Sequence, residues 1–330
     1  MDFISAPRRR LFLHAEIKGL RPILQGFSIG EDFTNPAAFP LELHHGLSIL
    51  KIAFRLVSVF LFVACFCSSL PVAAQRTFRQ RLLSHNAEMA LIQPAWPTPI
   101  IAPDPRLGQY YRLSVSSAFT PSGTHTMNYG NSKGFGVIVP SRLEFDAFLP
   151  GYVQHHSNAA DGFGDFAAMM KVRLASRVAE RGSYVSGFAL VHSFPTGSDS
   201  NGALSGAWIP SLSGGLGVTR HIDLEGSLGG VLPTAKIVEQ GRAILWNLLA
   251  QAHTSRDTWF ELEDNATHFK GGPHDDQMQN FLTPAEFFIL RSPQWDPAHP
   301  FFIVDAAMQI ATSSFHLYNH NLILETRFVF

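Results

Sequence analysis

From residue 109 to residue 330 the chain alternates apolar and polar side chains in runs of strand length that recur about every twenty residues. Side chains two apart share one face of a strand and neighbours lie on opposite faces, so this period dictates extended chain with two unlike faces. Leu143, Phe145, Ala147 and Leu149 oppose Glu144 and Asp146. Phe166, Ala168, Met170, Val172 and Leu174 oppose Asp165, Lys171 and Arg173. Ile222, Leu224 and Leu228 oppose Asp223 and Glu225, while Phe260 and Leu262 oppose Glu261 and Glu263. The runs predict about twelve strands, over 109–119, 133–139, 142–152, 163–175, 183–194, 206–218, 221–232, 242–253, 257–267, 279–290, 301–311 and 318–330.

Two architectures fit such strands. A soluble sandwich turns the apolar parity into its core, whereas a membrane barrel turns it to lipid and lines a wet lumen with the charges. Three features favour the barrel. Only 15% of the 330 residues are charged against 46% hydrophobic, where soluble domains carry roughly a quarter charged. The connections fall into tight turns, as at Thr219-Arg220-His221 and Ser255-Arg256-Asp257, alternating with longer loops at 121–132, 153–162, 196–205, 234–240 and 270–278. The segment 291–300 is a long connection where that scheme wants a short one. Finally, the last strand alternates Leu322, Leu324, Phe328 and Phe330 with Asn321, Glu325 and Arg327 and stops on phenylalanine. That ending resembles the closing strand of bacterial outer-membrane barrels, which implies that Phe328 and Phe330 act as a signal to the assembly machinery. The expected fold is therefore all-β, a transmembrane antiparallel up-and-down barrel.

The N-terminal third reads differently. Lys51 and Arg55 precede the apolar run Leu56 to Cys67, and Val72-Ala73-Ala74 follows, which predicts a secretory signal peptide over 47–74 cleaved near Ala74. A signal peptide that begins so far into a chain makes residues 1–46 an expected extension from a start codon assigned too early. Both cysteines, Cys65 and Cys67, lie in the apolar run, so the exported chain has no disulfide framework and no thiolate metal site. Residues 75–108 carry Pro94, Pro97, Pro99, Pro103 and Pro105, which excludes a central strand and predicts a periplasmic lead-in or a lumen plug. The barrel is expected over 109–330.

Several segments resemble the outer-membrane proteins of the meta-pathway of phenol degradation family. They are Asp161-Gly162-Phe163-Gly164-Asp165 running into Met170-Lys171-Val172-Arg173-Leu174, Phe194-Pro195-Thr196-Gly197-Ser198, Val231-Leu232-Pro233-Thr234, Phe281-Leu282-Thr283-Pro284 and Tyr318-Asn319-His320-Asn321-Leu322-Ile323-Leu324. The resemblance implies a barrel and a passage for small, aromatic or otherwise apolar molecules; it carries over no catalytic or binding residues.

Expected lumen-lining residues are Glu144, Asp146, Asp165, Lys171, Arg173, Asp223, Glu225, Glu261, Glu263, Glu325 and Arg327. Acids outnumber bases among them, which favours cations or neutral solutes over anions. The competing reading makes them charge networks that staple a filled interior. A second function class rests on His155 and Ser157, whose His-x-Ser-Asn setting resembles outer-membrane lipid deacylases; two apart on a strand, they would share a face for base-activated nucleophilic attack. A third is a passive structural barrel. His274-Asp275-Asp276 reads as a solvated loop tip, and no metal or cofactor is expected. The expected partners are outer-membrane lipids, the assembly machinery and a small solute. Net charge of −1 excludes nucleic-acid binding through phosphates.

Overall fold

The computed structural model describes residues 85, 87–89, 91–139, 142–179, 181–198, 201–290 and 300–330. The expected extension over 1–46, the signal peptide over 47–74 and most of the connection 291–300 lie outside the described residues.

The alternating runs form β1 (Tyr110–Phe119), β2 (His125–Val139), β3 (Leu143–Phe148), β4 (Tyr152–His155), β5 (Gly162–Phe163), β6 (Phe166–Arg177) and β7 (Tyr184–Phe194). They continue as β8 (Ala207–Gly217), β9 (Ile222–Pro233), β10 (Arg242–Ser255), β11 (Thr258–Lys270), β12 (Met278–Leu290), β13 (Phe301–Ala311) and β14 (His320–Val329). From β6 to β14 every strand pairs antiparallel with the next in sequence. β1 pairs with both β2 and β14, the latter in register from Tyr110 opposite Val329 to Phe119 opposite His320. That last ladder closes the sheet into a barrel of twelve staves, with β3 and β4 sharing one stave along β2. Closure matters because lipid offers no donors or acceptors: an open edge would leave a row of backbone groups unsatisfied.

Burial settles which face is which. The apolar parity points out, with Leu248 62% and Leu228 59% exposed, while the charged parity points in, with Glu144 and Glu263 at 0% and Asp223 at 1%. A soluble protein buries these classes the other way round. The molecule is a transmembrane β-barrel by construction: apolar outside, polar inside.

Two proline positions disturb the wall. Pro210 in β8 and Pro284 in β12 have no amide hydrogen to give. The β8–β9 ladder accordingly has a gap between Trp208 opposite Leu232 and Ser211 opposite Gly229, and the β12–β13 ladder between Leu282 opposite Ile310 and Ala285 opposite Ala307, each resuming in the same register.

Two expectations need correction. The loop expected over 121–132 is mostly strand: β2 begins at His125, and only 120–124 turn, closed by Thr120 and Thr124. Its Asn, Ser and Gly content reads as loop, yet a barrel strand that projects beyond the lipid needs no apolar face. The single strand expected over 142–152 is broken between β3 and β4 at Leu149-Pro150-Gly151. Pro150 cannot donate, and a Cβ on Gly151 would stand 2.5 Å from Asn128 Oδ1, so the chain crosses itself closely there.

Candidate functional site

One end of the barrel carries both chain ends of the sheet, the tight turns after β6, β8 and β10 and the long connection 291–300; the other carries the longer loops and the short 120–124 turn. Residues 93–108 enter at the turn end and run inside the cylinder, held by side chains from opposite walls. From β11, Glu261 and Glu263 accept the amides of Ile100, Ile101 and Ala102 at 3.3, 3.0 and 3.0 Å. About a quarter-turn round the barrel, Arg327 on β14 donates to the carbonyls of Thr98 and Pro99 at 2.5 and 3.3 Å, and Arg112 on β1 to that of Ile100 at 2.9 Å. Gln251 on β10 donates to the carbonyl of Pro97 at 3.0 Å. The wall thus grips the backbone of this segment. Proline rings keep that backbone extended and leave its carbonyls free to accept.

The remaining charges complete a belt. Lys171 pairs with Glu144 at 2.8 Å, and Glu144 also accepts the Gly108 amide at 2.6 Å. Asp146 accepts the Tyr110 hydroxyl at 2.7 Å. Arg173 donates to Met89 Sδ and Gln93 Oε1. Glu325 lies between Arg112, at 2.6 Å, and Arg327. Asp223 and Glu225 are buried side by side on β9. Asp165 stands apart, off the staves between β5 and β6, where its two oxygens accept the amides of Gly197 and Ala203 at 2.8 and 2.7 Å. Partial burial there pushes its carboxyl above the ordinary value, opposed by those amides.

Sequence reasoning misses four members of this site. Arg112 and Asp305 sit in the inward parity of β1 and β13, Asp305 at 3.5 Å from Arg327, so the same alternation marks them. Asp104 and Arg106 belong to the inner segment, which has no period to read. Arg106 clasps Asp104 through Nε at 2.8 Å and Nη2 at 3.1 Å. Burial opposes the charge on Asp104, but Arg106 and then Lys171 hold its carboxyl below the ordinary value.

Beside the inner segment lies a cavity of about 510 Å³. Towards the loop end its wall is apolar, with Val191, Ile209, Leu245, Phe281 and Tyr318 contributing to one buried cluster. A few uncharged polar groups interrupt it, among them Asn247, Asn265 and Thr267. Chain from the β13–β14 connection folds over this cluster: Tyr318 stacks on Phe281 with ring centroids 4.4 Å apart, and its hydroxyl donates to Gln309.

At the loop end the first two motifs of the family resemblance meet. Ser198 N donates to Phe163 O, Phe166 N to Thr196 Oγ1 and Asn201 Nδ2 to Ala160 O. Gly197 packs against Gly164 and Gly202 so closely that a Cβ would stand 2.6 Å from Gly202 Cα. This clasp also takes in His155. β4 ends at His155, so strand parity does not carry to Ser157. His155 directs Nε2 to Asn201 Oδ1 at 2.8 Å and Nδ1 to Thr126 Oγ1, while Ser157 Oγ accepts the Ala159 amide. Both ring nitrogens are committed elsewhere, and a base needs one for its nucleophile.

His274-Asp275-Asp276 diverge: His274 packs on Phe269 and Phe315, Asp275 accepts the Gly271 amide, and Asp276 pairs with Lys270 at 2.6 Å. Phe328 packs on Phe302 and Phe330 outside the barrel, and the amide of Phe330 donates to Gln109 O at 3.1 Å.

The architecture defines the class, a closed membrane β-barrel whose lumen is partly filled by its own chain. No family model matches the chain and no curated protein matches it, so the likeness to the phenol-degradation family stays a resemblance of motifs. Among solved structures it is similar to an outer membrane channel from Pseudomonas putida F1, at 14% identity and a TM-score of 0.47, covering 72% of this chain and 99% of that one. It is also similar to the NanC porin, at 7% identity and 0.42, covering 66% and 98%. The CymD monoaromatic hydrocarbon channel matches at 8% and 0.36, covering 68% and 88%. Likeness this distant says nothing of what passes through this barrel.

Proposed function

We propose that the protein sits in a bacterial outer membrane and lets small uncharged molecules, aromatic or otherwise apolar, pass through its barrel. The observation that carries this reading is the cavity of about 510 Å³, whose loop-end part is apolar with a few amides and hydroxyls, while Asp104, Arg106, Arg112 and Lys171 line the part nearer the turn end. Such a lining suits a ligand with an apolar body and one or two polar atoms. The outward apolar belt supports membrane residence, with lipids as its partners, and the terminal Phe328 and Phe330 act as the handle for assembly. The inner segment acts as a plug that narrows the passage, and ten of the eleven expected residues line or fill the lumen around it, Asp165 lying in the loop-end clasp instead.

Liposome swelling tests this with a graded set of sugars and small aromatic compounds. Entry of aromatics with exclusion of sugars of equal size is the expected result. Size-dependent entry of both would replace it with an open hydrophilic channel. Entry of neither would leave a passive structural barrel.

A further inference from the structure

Most carboxylates of the belt have donors, and Asp305 has Arg327 at 3.5 Å, but Asp223 and Glu225 have neither a hydrogen-bond donor nor an ion pair. Both lie on the inward face of β9, 1% and 6% exposed, and none of their four oxygens meets a hydrogen-bond donor from another of the described residues. The surroundings explain why. On one side β8 sets Gly217 opposite Asp223 and Gly215 opposite Glu225, so that strand offers no side chain. The Trp96 ring occupies the space instead: a Cβ at Gly215 would stand 2.8 Å from Trp96 Cζ3, and one at Gly217 3.1 Å from Cζ2. On the other side Gln251 lies opposite Asp223 and Leu249 opposite Glu225. Gln251 Nε2 has two acceptors, Pro97 O at 3.0 Å and Glu261 Oε2 at 2.6 Å, which fixes the amide and leaves Oε1 as another buried oxygen with no donor. Arg106 is the nearby cation, but four of its five N–H groups go to Asp104 and to the carbonyls of Trp96 and Pro97, and none meets Asp223 or Glu225.

Five acceptor oxygens on three adjacent side chains, with a formal charge of −2, are costly to bury without a positive partner. Oxygen-only donor sets of carboxylate and amide select hard cations. We propose that Asp223, Glu225 and Gln251 bind a hard metal cation, with calcium as the charge-matched case, between the barrel wall and the inner segment. The ion fastens that segment, because Gln251 also holds Pro97 and Trp96 covers the glycines beside the carboxylates. This site is independent of what the barrel transports.

The test is equilibrium dialysis of the refolded full chain in detergent micelles, after chelator treatment, against labelled calcium or rubidium at neutral pH. Calcium uptake near one ion per chain is expected, with affinity at least tenfold weaker in the Asp223→Asn/Glu225→Gln variant. Rubidium uptake lost in the same variant keeps the site and changes the ion to a monovalent one. No uptake of either ion, or uptake that the variant leaves unchanged, overturns the proposal; the former result would assign protons to these oxygens. Should the double variant not refold, terbium bound to the unmutated chain serves instead. Its emission excited through tryptophan should fall severalfold in Trp96→Phe while the dialysed stoichiometry holds, and emission unaffected by that change would place the ion elsewhere. Binding without solute flux would sink the transport reading alone.

Discussion

The two ends of the lumen are built from the same staves and hold chain inside them by different means. Towards the turn end, buried charges and amides of the wall grip the inner segment by its backbone, beside an apolar cluster of Ile100, Trp259, Phe287, Ile289 and Ile303. Towards the loop end, the inward positions are Val191, Ile209, Leu245 and Phe281, and the covering chain packs on them through an aromatic ring. The difference teaches how one barrel can hold something permanently and something else in passing. Backbone groups gripped by buried charges have no good alternative partner, so release is costly. Apolar surface is non-directional and accepts any body of suitable size.

Arg327→Met should break the comparison most severely. It removes the donor to Thr98 and Pro99 and leaves Glu325 and Asp305 short of a cation, so about 3–5 kcal/mol of stability should disappear. Denaturant unfolding in micelles reads this; a loss below about 1 kcal/mol would mean the segment is held by packing after all. Glu263→Gln is a gentler cut, since one amide oxygen still accepts. It should cost about 1–3 kcal/mol and raise single-channel conductance as the grip on Ile101 and Ala102 loosens.

At the loop end the effect should move from stability to solute. Phe281→Ala enlarges the cavity without touching a wall hydrogen bond, so the cost should stay near about 2 kcal/mol, below the usual range for a buried phenylalanine. Flux of bulkier aromatics should rise, and unchanged selectivity would remove Phe281 from the passage. The rim supplies the smallest effect. Asp276 is exposed, and its hydrogen bond from Lys270, followed by that from His268, keeps its carboxyl below the ordinary 3.8. The contribution is therefore present at neutral pH and fades as pH falls through that depressed value. Asp276→Asn should leave the melting temperature at pH 7 within about one degree of the parent, the surface-pair expectation.

How much of this the sequence discloses depends on whether a residue belongs to a repeating pattern. Lys171, Glu263 and Arg327 are legible because each falls on the parity opposite an apolar one, and lipid outside forces that apolar parity to be strict. Strand ends are legible only where the outward face must stay apolar, which is why β2 reaches back to His125 unannounced. The inner segment has no period at all. Its prolines exclude it from the wall, but its place inside follows from backbone groups that every sequence shares. Asp223 and Glu225 are legible as inward charges, whereas their want of donors depends on Gly215 and Gly217 one strand away, a register no single stretch encodes.

The ladder between β1 and β14 carries a consequence for how the molecule is made. The segment that fills the lumen precedes the first strand, and the seam that shuts the cylinder needs the last, sewn down to Phe330 and Gln109. Once that seam forms, Arg112, Arg327 and Glu263 already surround the extended chain. The seam and the contents therefore meet at one mouth, as a cuff closes beside the hand, and a molecule that closed empty could be filled only through that end.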